Sequence, residues 1–472
     1  MRYQLPEALN SFTRTATQFV ALEPDAVFAV VGDLARTGDW MKSFNGFVVH
    51  DAGHLAGNKV DLLPPGRLFG PLHTATAPSG SITRRNERER LVEFTQPQPG
   101  GRMILRWQVA EESGGARLSF TVTLSGPGTS VFKLTVANAL CRDFSVAAAR
   151  LYRLLPSAAR TSTGGEHVVI AGGRGFLGRN LAADLLCRGH QVRVLTRSLE
   201  EHFPAEQLPW DGAHLGPWAH ALHGGVHLIN LAGARVDVAN TAENLELLRN
   251  SRVRATHILA EAAAAAEQPL RTWVQASTTA IFGDGKQNRY TERSTPPRTA
   301  AEGALDEMTE VARDWEAAFN DARINAESKH IVRTSLVMHP DAPLLTPLQT
   351  LVHTGMGGAL GSGEQWMSWI SLPDWLRLVR ALLGLETTHI EAELIHAAAP
   401  QPVRNEQLMR VLREAAGLPG LPVPAALATL GAKVLGTNPR IALTGRYVTS
   451  EVLTPSDFAD TTLAQALGLA AN

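Results

Sequence analysis

The sequence predicts an α/β chain whose main part is a doubly wound parallel sheet with a small α-rich region at its C-terminal end. An α+β domain, an antiparallel sheet closed by a long helix, precedes it. Three observations predict this. Before residue 156 the clearest apolar signals repeat every second residue. After residue 167 short apolar runs alternate with stretches of helical period. The first of those runs leads into a glycine-rich turn, Gly172-Gly173-Arg174-Gly175-Phe176-Leu177-Gly178.

A chain of 472 residues exceeds one ordinary core, so two or three domains are expected. A hydrophobic share of 44% and a charged share of 19% belong to folded rather than disordered chains. The formal net charge of -1 provides no global field to recruit nucleic acid or a membrane surface, and neither is expected as a partner. Two cysteines, Cys141 and Cys187, fall on separate predicted helices and argue against a disulfide framework or a zinc site. The 16 histidines are spread along the chain, and no metal site is expected. The opening residues lack a basic run followed by an apolar core. Charged residues interrupt every long apolar stretch, so a soluble, cytoplasmic protein is expected.

In the first part, Met103, Leu105, Trp107 and Val109 share one face of a strand, and Leu118 to Leu124 alternate in the same way. Glu111 to Gly115 supply turn chemistry between them, which predicts an antiparallel hairpin. Leu91-Val92-Glu93-Phe94 reads as another strand. After Gly126-Pro127-Gly128 the period changes: Phe132, Val136, Leu140, Phe144, Ala148 and Leu151 predict one long amphipathic helix ending at Pro156. This order of elements, with the Pro24–Phe28 and Trp40 region, resembles the START-related helix-grip fold (polyketide-cyclase-like, SRPBCC), here over residues 1–156. The resemblance implies an interior that either holds a small apolar ligand or is filled by side chains. Residues 157–166 are small and polar and read as a linker.

The glycine turn follows the buried run His167–Ala171 and opens a helix, the context of a Rossmann domain. Gly172 permits the turn, Gly175 lets the backbone approach a pyrophosphate, and Gly178 lets helix and sheet pack closely. The pyrophosphate then faces a helix N-terminus. Cofactor contacts are expected from Gly172, Gly173, Arg174, Gly175, Phe176, Leu177 and Gly178. At the end of the next strand, where an NAD-binding domain carries Asp or Glu, the chain reads Thr196-Arg197-Ser198. With no carboxylate to repel a 2′-phosphate, and Arg197 and Arg174 to pair with one, NADP(H) is the expected coenzyme.

These motifs, with Trp210-Asp211, Asn230-Leu231-Ala232-Gly233, Ser277-Thr278, Trp315-Glu316, Arg333-Thr334 and Gly361 to Ile370, resemble the extended short-chain dehydrogenase/reductase superfamily. More narrowly, they look like its atypical, nucleoside-diphosphate-sugar epimerase-like branch. The resemblance implies a Rossmann domain with substrate-side segments over 167–435 and a small C-terminal domain over 436–472. It also places Leu231, Ala232 and Gly233 at the coenzyme. The superfamily's chemistry uses a tyrosine with a lysine four residues on. The residues four after Tyr3, Tyr152, Tyr290 and Tyr447 are Glu7, Pro156, Ser294 and Glu451, so the pair is missing. Motif matching puts the tyrosine place near Ala312, the lysine place near Glu316 and the asparagine place on Arg252. A hydroxyl remains at Ser277 or Thr278.

Ser277, Thr278, Arg252 and Glu316 are therefore the candidate catalytic residues, with Gln365 and Trp366 in a substrate pocket. A hydroxyl plus an arginine can polarise a carbonyl. Glu316 is either an acid whose pKa burial raises or an exposed helix charge. Ser371-Leu372-Pro373-Asp374 replaces the His-x-Asp-Asp of many relatives. Two functions fit: an NADP(H)-dependent oxidoreductase or epimerase-like enzyme on a small carbonyl or hydroxyl compound, or a non-catalytic NADPH-binding module. Oligomeric state is open.

Overall fold

Trp107 and Phe120 face each other across an antiparallel pair of strands, and around them the first sheet is built. The computed structural model describes residues 11–44, 47–49, 59–62, 79–98, 101–126, 138–162, 164–297, 307–434 and 438–469. The chain divides into two compact units. One comprises Met1–Glu166, Arg179–Val192 and Glu200–Glu206; the other comprises His167–Gly178, Arg193–Leu199 and Gln207–Asn472.

The first unit holds a seven-stranded antiparallel sheet of β1 (Ser11–Val20), β2 (Phe47–Val49), β3 (Lys59–Leu62), β4 (Gly80–Asn86), β5 (Leu91–Gln98), β6 (Gly101–Glu112) and β7 (Gly115–Ser125). Its order is β1-β7-β6-β5-β4-β3-β2. The expected hairpin is β6–β7, with Met103 opposite Leu124 and Leu105 opposite Val122. A two-residue turn closes it, where Gly114 takes a φ of 81° that a Cβ would disfavour. Met103, Leu105, Trp107 and Val109 are all buried, as one face of the pleat requires. The expected single long helix is broken. Asn138–Cys141 and Phe144–Leu154 are separate helices, because Asp143 between them takes a left-handed φ of 57° that cannot continue a right-handed helix. Phe132 and Val136 lie outside the described residues, as does Gly128. Aromatic rings run from the sheet to the second of these helices: Trp107 is 4.9 Å from Phe120, and Phe120 is 5.9 Å from Phe144.

A second seven-stranded sheet, all of it in the second unit but Gln191, Val192 and Glu206, comprises β8 (His167–Ala171), β9 (Gln191–Thr196), β10 (Glu206–Pro209), β11 (His227–Asn230), β12 (Leu270–Thr278), β13 (Ala326–Thr334) and β14 (Leu394–Ala397). The order is β10-β9-β8-β11-β12-β13-β14. Every pairing from β8 through β11, β12 and β13 to β14 is parallel. The chain winds outward from β8 in one direction, returns to β11, and winds outward in the other. This is the doubly wound arrangement the sequence predicts, and its topological switch lies between β8 and β11. β10 and β14 are strands that the apolar pattern did not announce. The Ala242–Ala264 helix starts where the Thr241 hydroxyl accepts the Asn244 N–H, and it buries Ala255, Leu259 and Ala263 against Val169, Leu228 and Trp273. Among the described residues no helix is long and apolar enough to cross a membrane.

Trp107→Ala should destabilise the first unit by about 3–5 kcal/mol, the usual cost of emptying a fully buried aromatic site. Urea denaturation followed by near-ultraviolet circular dichroism checks it; a loss below about 1 kcal/mol would mean that the site collapses around the gap.

Candidate functional site

At the end of β8 the chain turns at Gly172, whose φ is 75°. A Cβ there would lie 2.6 Å from the Leu231 carbonyl oxygen, so only glycine lets the loops after β8 and β11 meet. The Gly175 N–H closes the turn on the Gly172 carbonyl at 3.0 Å. A Cβ on Gly178 would sit 2.5 Å from the Gly173 Cα, and one on Gly173 would sit 2.5 Å from the Val194 side chain. At Gly175, by contrast, nothing comes nearer than 3.4 Å to such a Cβ. Beside it begins the Phe176–Cys187 helix. An open glycine at a helix N-terminus is the cradle a diphosphate fits, since free N–H groups and the helix dipole both favour negative charge.

The Arg174 guanidinium reaches the end of β9, donating to the Ser198 carbonyl at 2.6 Å and to its hydroxyl at 3.1 Å. Thr196 is buried and accepts the Ser198 N–H. Arg197 is exposed, and among the described residues no carboxylate pairs with it. Two guanidinium-bearing residues thus share one strand end.

Leu231, Ala232 and Gly233 are set by a buried amide network. Asn230 donates to Thr256 at 3.1 Å and to Gln275 at 3.0 Å, and its oxygen accepts the Ala232 N–H. Gly233 lies against Arg252; a Cβ there would be 2.9 Å from the guanidinium carbon. Arg252 is buried, donates to the Leu248 and Ala234 carbonyls at 3.0 and 3.1 Å, and lies over the Trp315 ring at 5.2 Å. Burial pushes its pKa down to about 10, which still leaves it cationic near neutrality.

A cavity of about 190 Å³ adjoins this arginine. Thr278, Ala312, Trp315 and Trp366 line it with Arg252. Thr278 accepts the Ala280 N–H at 3.2 Å. Ser277, the next residue on β12, is not part of the lining and points instead to Glu316, donating to it at 2.5 Å. Glu316 is buried rather than exposed on its helix. It forms a two-pronged ion pair with Arg333 at 2.8 and 2.7 Å. The candidate set therefore separates: Thr278 and Arg252 reach the cavity, while Ser277 and Glu316 form a braced pair outside its lining.

Gln365 also stands outside the lining, its amide donating to the Leu360 and Ala442 carbonyls. Trp366 lines the cavity, and its ring carries the Arg404 guanidinium 3.6 Å above its centroid. Ser371-Leu372-Pro373-Asp374 starts the Leu372–Leu382 helix. Ser371 caps it, and Asp374 accepts the Ala459 and Asp460 N–H groups. That segment ties down the chain near its C-terminal end. Sequence reasoning missed Arg333, Trp315, Arg440 and Arg446 as parts of the site. An arginine inside the apolar run His330–Thr334 was the readable sign of a buried partner.

Residues 168–306 match the model of the NAD dependent epimerase/dehydratase family, and residues 11–155 match that of polyketide cyclase / dehydrase and lipid transport. An Arabidopsis thaliana protein, the chloroplastic homolog of epimerase family protein SDR39U1, is 30% identical over 332 residues. That span is 68% of this chain and 90% of the relative. The chain belongs to the SDR39U1 epimerase family. The crystal structure of human SDR39U1 (isoform 2) with NADPH is similar in fold, with a TM-score of 0.52 and 23% identity; the likeness covers 64% of this chain and 97% of the human one. A nucleoside-diphosphate sugar epimerase from Corynebacterium glutamicum is 22% identical, with a TM-score of 0.48, over 96% of this chain and 89% of its own.

In this SDR39U1-family chain Ala312, at the expected tyrosine place, lines the cavity, and Glu316, at the expected lysine place, is spent on Arg333. Arg333→Met should cost about 3–5 kcal/mol, because it strands a buried carboxylate. Adding Glu316→Leu should recover most of that loss in chemical denaturation. A double variant no more stable than the single one would mean that the pair does more than neutralise itself.

Proposed function

We propose that this chain is an NADP(H)-dependent oxidoreductase or epimerase-like enzyme acting on a small carbonyl or hydroxyl compound. The observation that carries the reading is Thr278: it stands on the cavity, and the only bond its hydroxyl makes among the described residues is one it accepts. Its own proton is left for an occupant. In the proposed site Gly172–Gly178 cradle the pyrophosphate and Leu231–Gly233 border the coenzyme. Arg174 and Arg197 meet the 2′-phosphate, with Thr196 and Ser198 holding the strand end. NADPH is the coenzyme present with human SDR39U1. When bound, it supplies a hydride to a carbonyl carbon and is left as NADP+.

Thr278 donates to the carbonyl oxygen and stabilises the charge that develops there as the carbon is reduced to an alcohol. With alanine at the tyrosine place, the oxygen takes its proton from water. Ser277, Glu316 and Arg333 position the end of β12 that carries Thr278. Trp366 bounds the substrate, and Gln365 braces the segment that presents it. A non-catalytic NADPH-binding module is the second reading, favoured by Ala312 and by the engagement of Glu316 with Arg333. It predicts binding with no turnover.

NADPH should bind more tightly than NADH. Arg197→Ala and Arg174→Ala should each weaken NADPH about tenfold to a hundredfold, the worth of a hydrogen bond to a charged group, with NADH little changed. Fluorescence titration checks this, and tighter binding of NADH by the unaltered chain would sink the preference. Under turnover of a carbonyl panel with NADPH, Thr278→Val should lower kcat by about 10²–10³ with KM nearly constant. An unchanged kcat would remove Thr278 from the chemistry.

A further inference from the structure

We propose that the substrate carries an oxyanion, a carboxylate or a phosphate, and that Arg252 is its anchor; this rests on reading the cavity as the substrate site. The two buried arginines of the second unit's site are unlike. Arg333 has the Glu316 carboxylate on two of its nitrogens. Arg252 is as deeply buried, at 8% exposure, yet among the described residues it meets only neutral oxygens: two carbonyls and the Ser251 hydroxyl at 3.5 Å. Those bonds use three of the five N–H donors of a guanidinium. A buried cation without a counter-charge is costly, and an anion entering the cavity would relieve that cost.

The Trp315 ring beneath the guanidinium offers some compensation. Its own indole N–H is buried and has no acceptor among the described residues. The lining's other charged residues are Glu307, Arg440 and Arg446, and Glu307 pairs with Arg440 at 3.1 Å. Size narrows the class. Sites for drug-sized ligands run from about 300 to 1,000 Å³, and this cavity of about 190 Å³ suits a short organic acid or phosphate ester rather than a sugar nucleotide. Arg252 then holds the anionic end and leaves the carbonyl to Thr278, in place of polarising that carbonyl itself.

Three probes test this by calorimetry on the full chain, each with and without saturating NADP+: acetoacetate, dihydroxyacetone phosphate, and methyl acetoacetate as the neutral twin of the first. At least one anion should bind at millimolar concentration or below, and the ester at least about tenfold more weakly. Arg252→Met should weaken the anion about tenfold to a hundredfold, with Arg252→Lys in between. Acetoacetate alone would identify a carboxylate, and dihydroxyacetone phosphate alone a phosphate. Equal binding of ester and acid, undiminished anion binding by Arg252→Met, or no binding of either anion would overturn the proposal. If Arg252→Met does not fold, Arg252→Lys decides: it keeps the charge and loses the guanidinium fork, so anion affinity should fall several-fold, and an unchanged affinity counts against the assignment. A chain that fails to bind NADP+ refutes the coenzyme reading separately, and the titrations without nucleotide then judge the anion alone.

Discussion

The close passage of the Gly172 backbone by the Leu231 carbonyl, which leaves no room for a Cβ, is the constraint from which the second unit's site follows. Parallel strands leave their carboxyl ends on one edge of a sheet, and at the switch point two neighbouring loops depart in opposite directions. They can form one cleft only where a backbone passes another without a side chain between. Gly172 provides that passage at a left-handed φ, and the Leu231 N–H bonds back to the Ala171 carbonyl. Asn230, held by Thr256 and Gln275, fixes the second loop in turn. Gly233, two residues beyond Leu231, makes room for Arg252. The cleft and the cavity are therefore consecutive products of one close crossing.

Buried ionic groups near the cavity take two forms with different consequences. Glu316 and Arg333 neutralise each other, and the Ser277 hydroxyl satisfies a further lone pair; such a set gives rigidity and a defined geometry rather than reactivity. At the place where the superfamily resemblance puts a lysine, the chain carries the opposite charge and supplies the matching cation from the adjacent strand β13. Where the resemblance implies a cation, Glu316 and Arg333 form an internal ion pair. Of the four candidate catalytic residues, Thr278 and Arg252 are the two on the cavity side.

Much of the framework was legible because it rests on local chemistry. The β6–β7 hairpin was written in the alternation from Met103 to Val109 and in the turn at Gly114, and the parallel sheet in short apolar runs separated by helical periods. The glycine loop was legible for the same reason, since each glycine answers a contact within a few residues or across one strand. What escaped the sequence was non-local. Periodicity alone could not show that Asp143 turns left-handed and divides a helix. Ser277 and Thr278 are adjacent hydroxyls on a strand, and only the pleat decides that one faces Glu316 and the other the cavity. Glu316 looked like a choice between a buried acid and a solvated charge, because its partner lies 17 residues further along the chain. Arg440 and Arg446 come from a region with no strong period at all.

That last region has a temporal meaning. The loops after β8 and β11 are made early in synthesis, whereas the cavity wall includes Arg440, Thr444 and Arg446, which adjoin the Tyr447–Val448 strand paired with Arg289–Tyr290. Domains fold as units, those nearer the N-terminus first, while the chain is being made. The second unit can thus close its cavity only once residues as far as Val448 have been made, however early the glycine turn is in place.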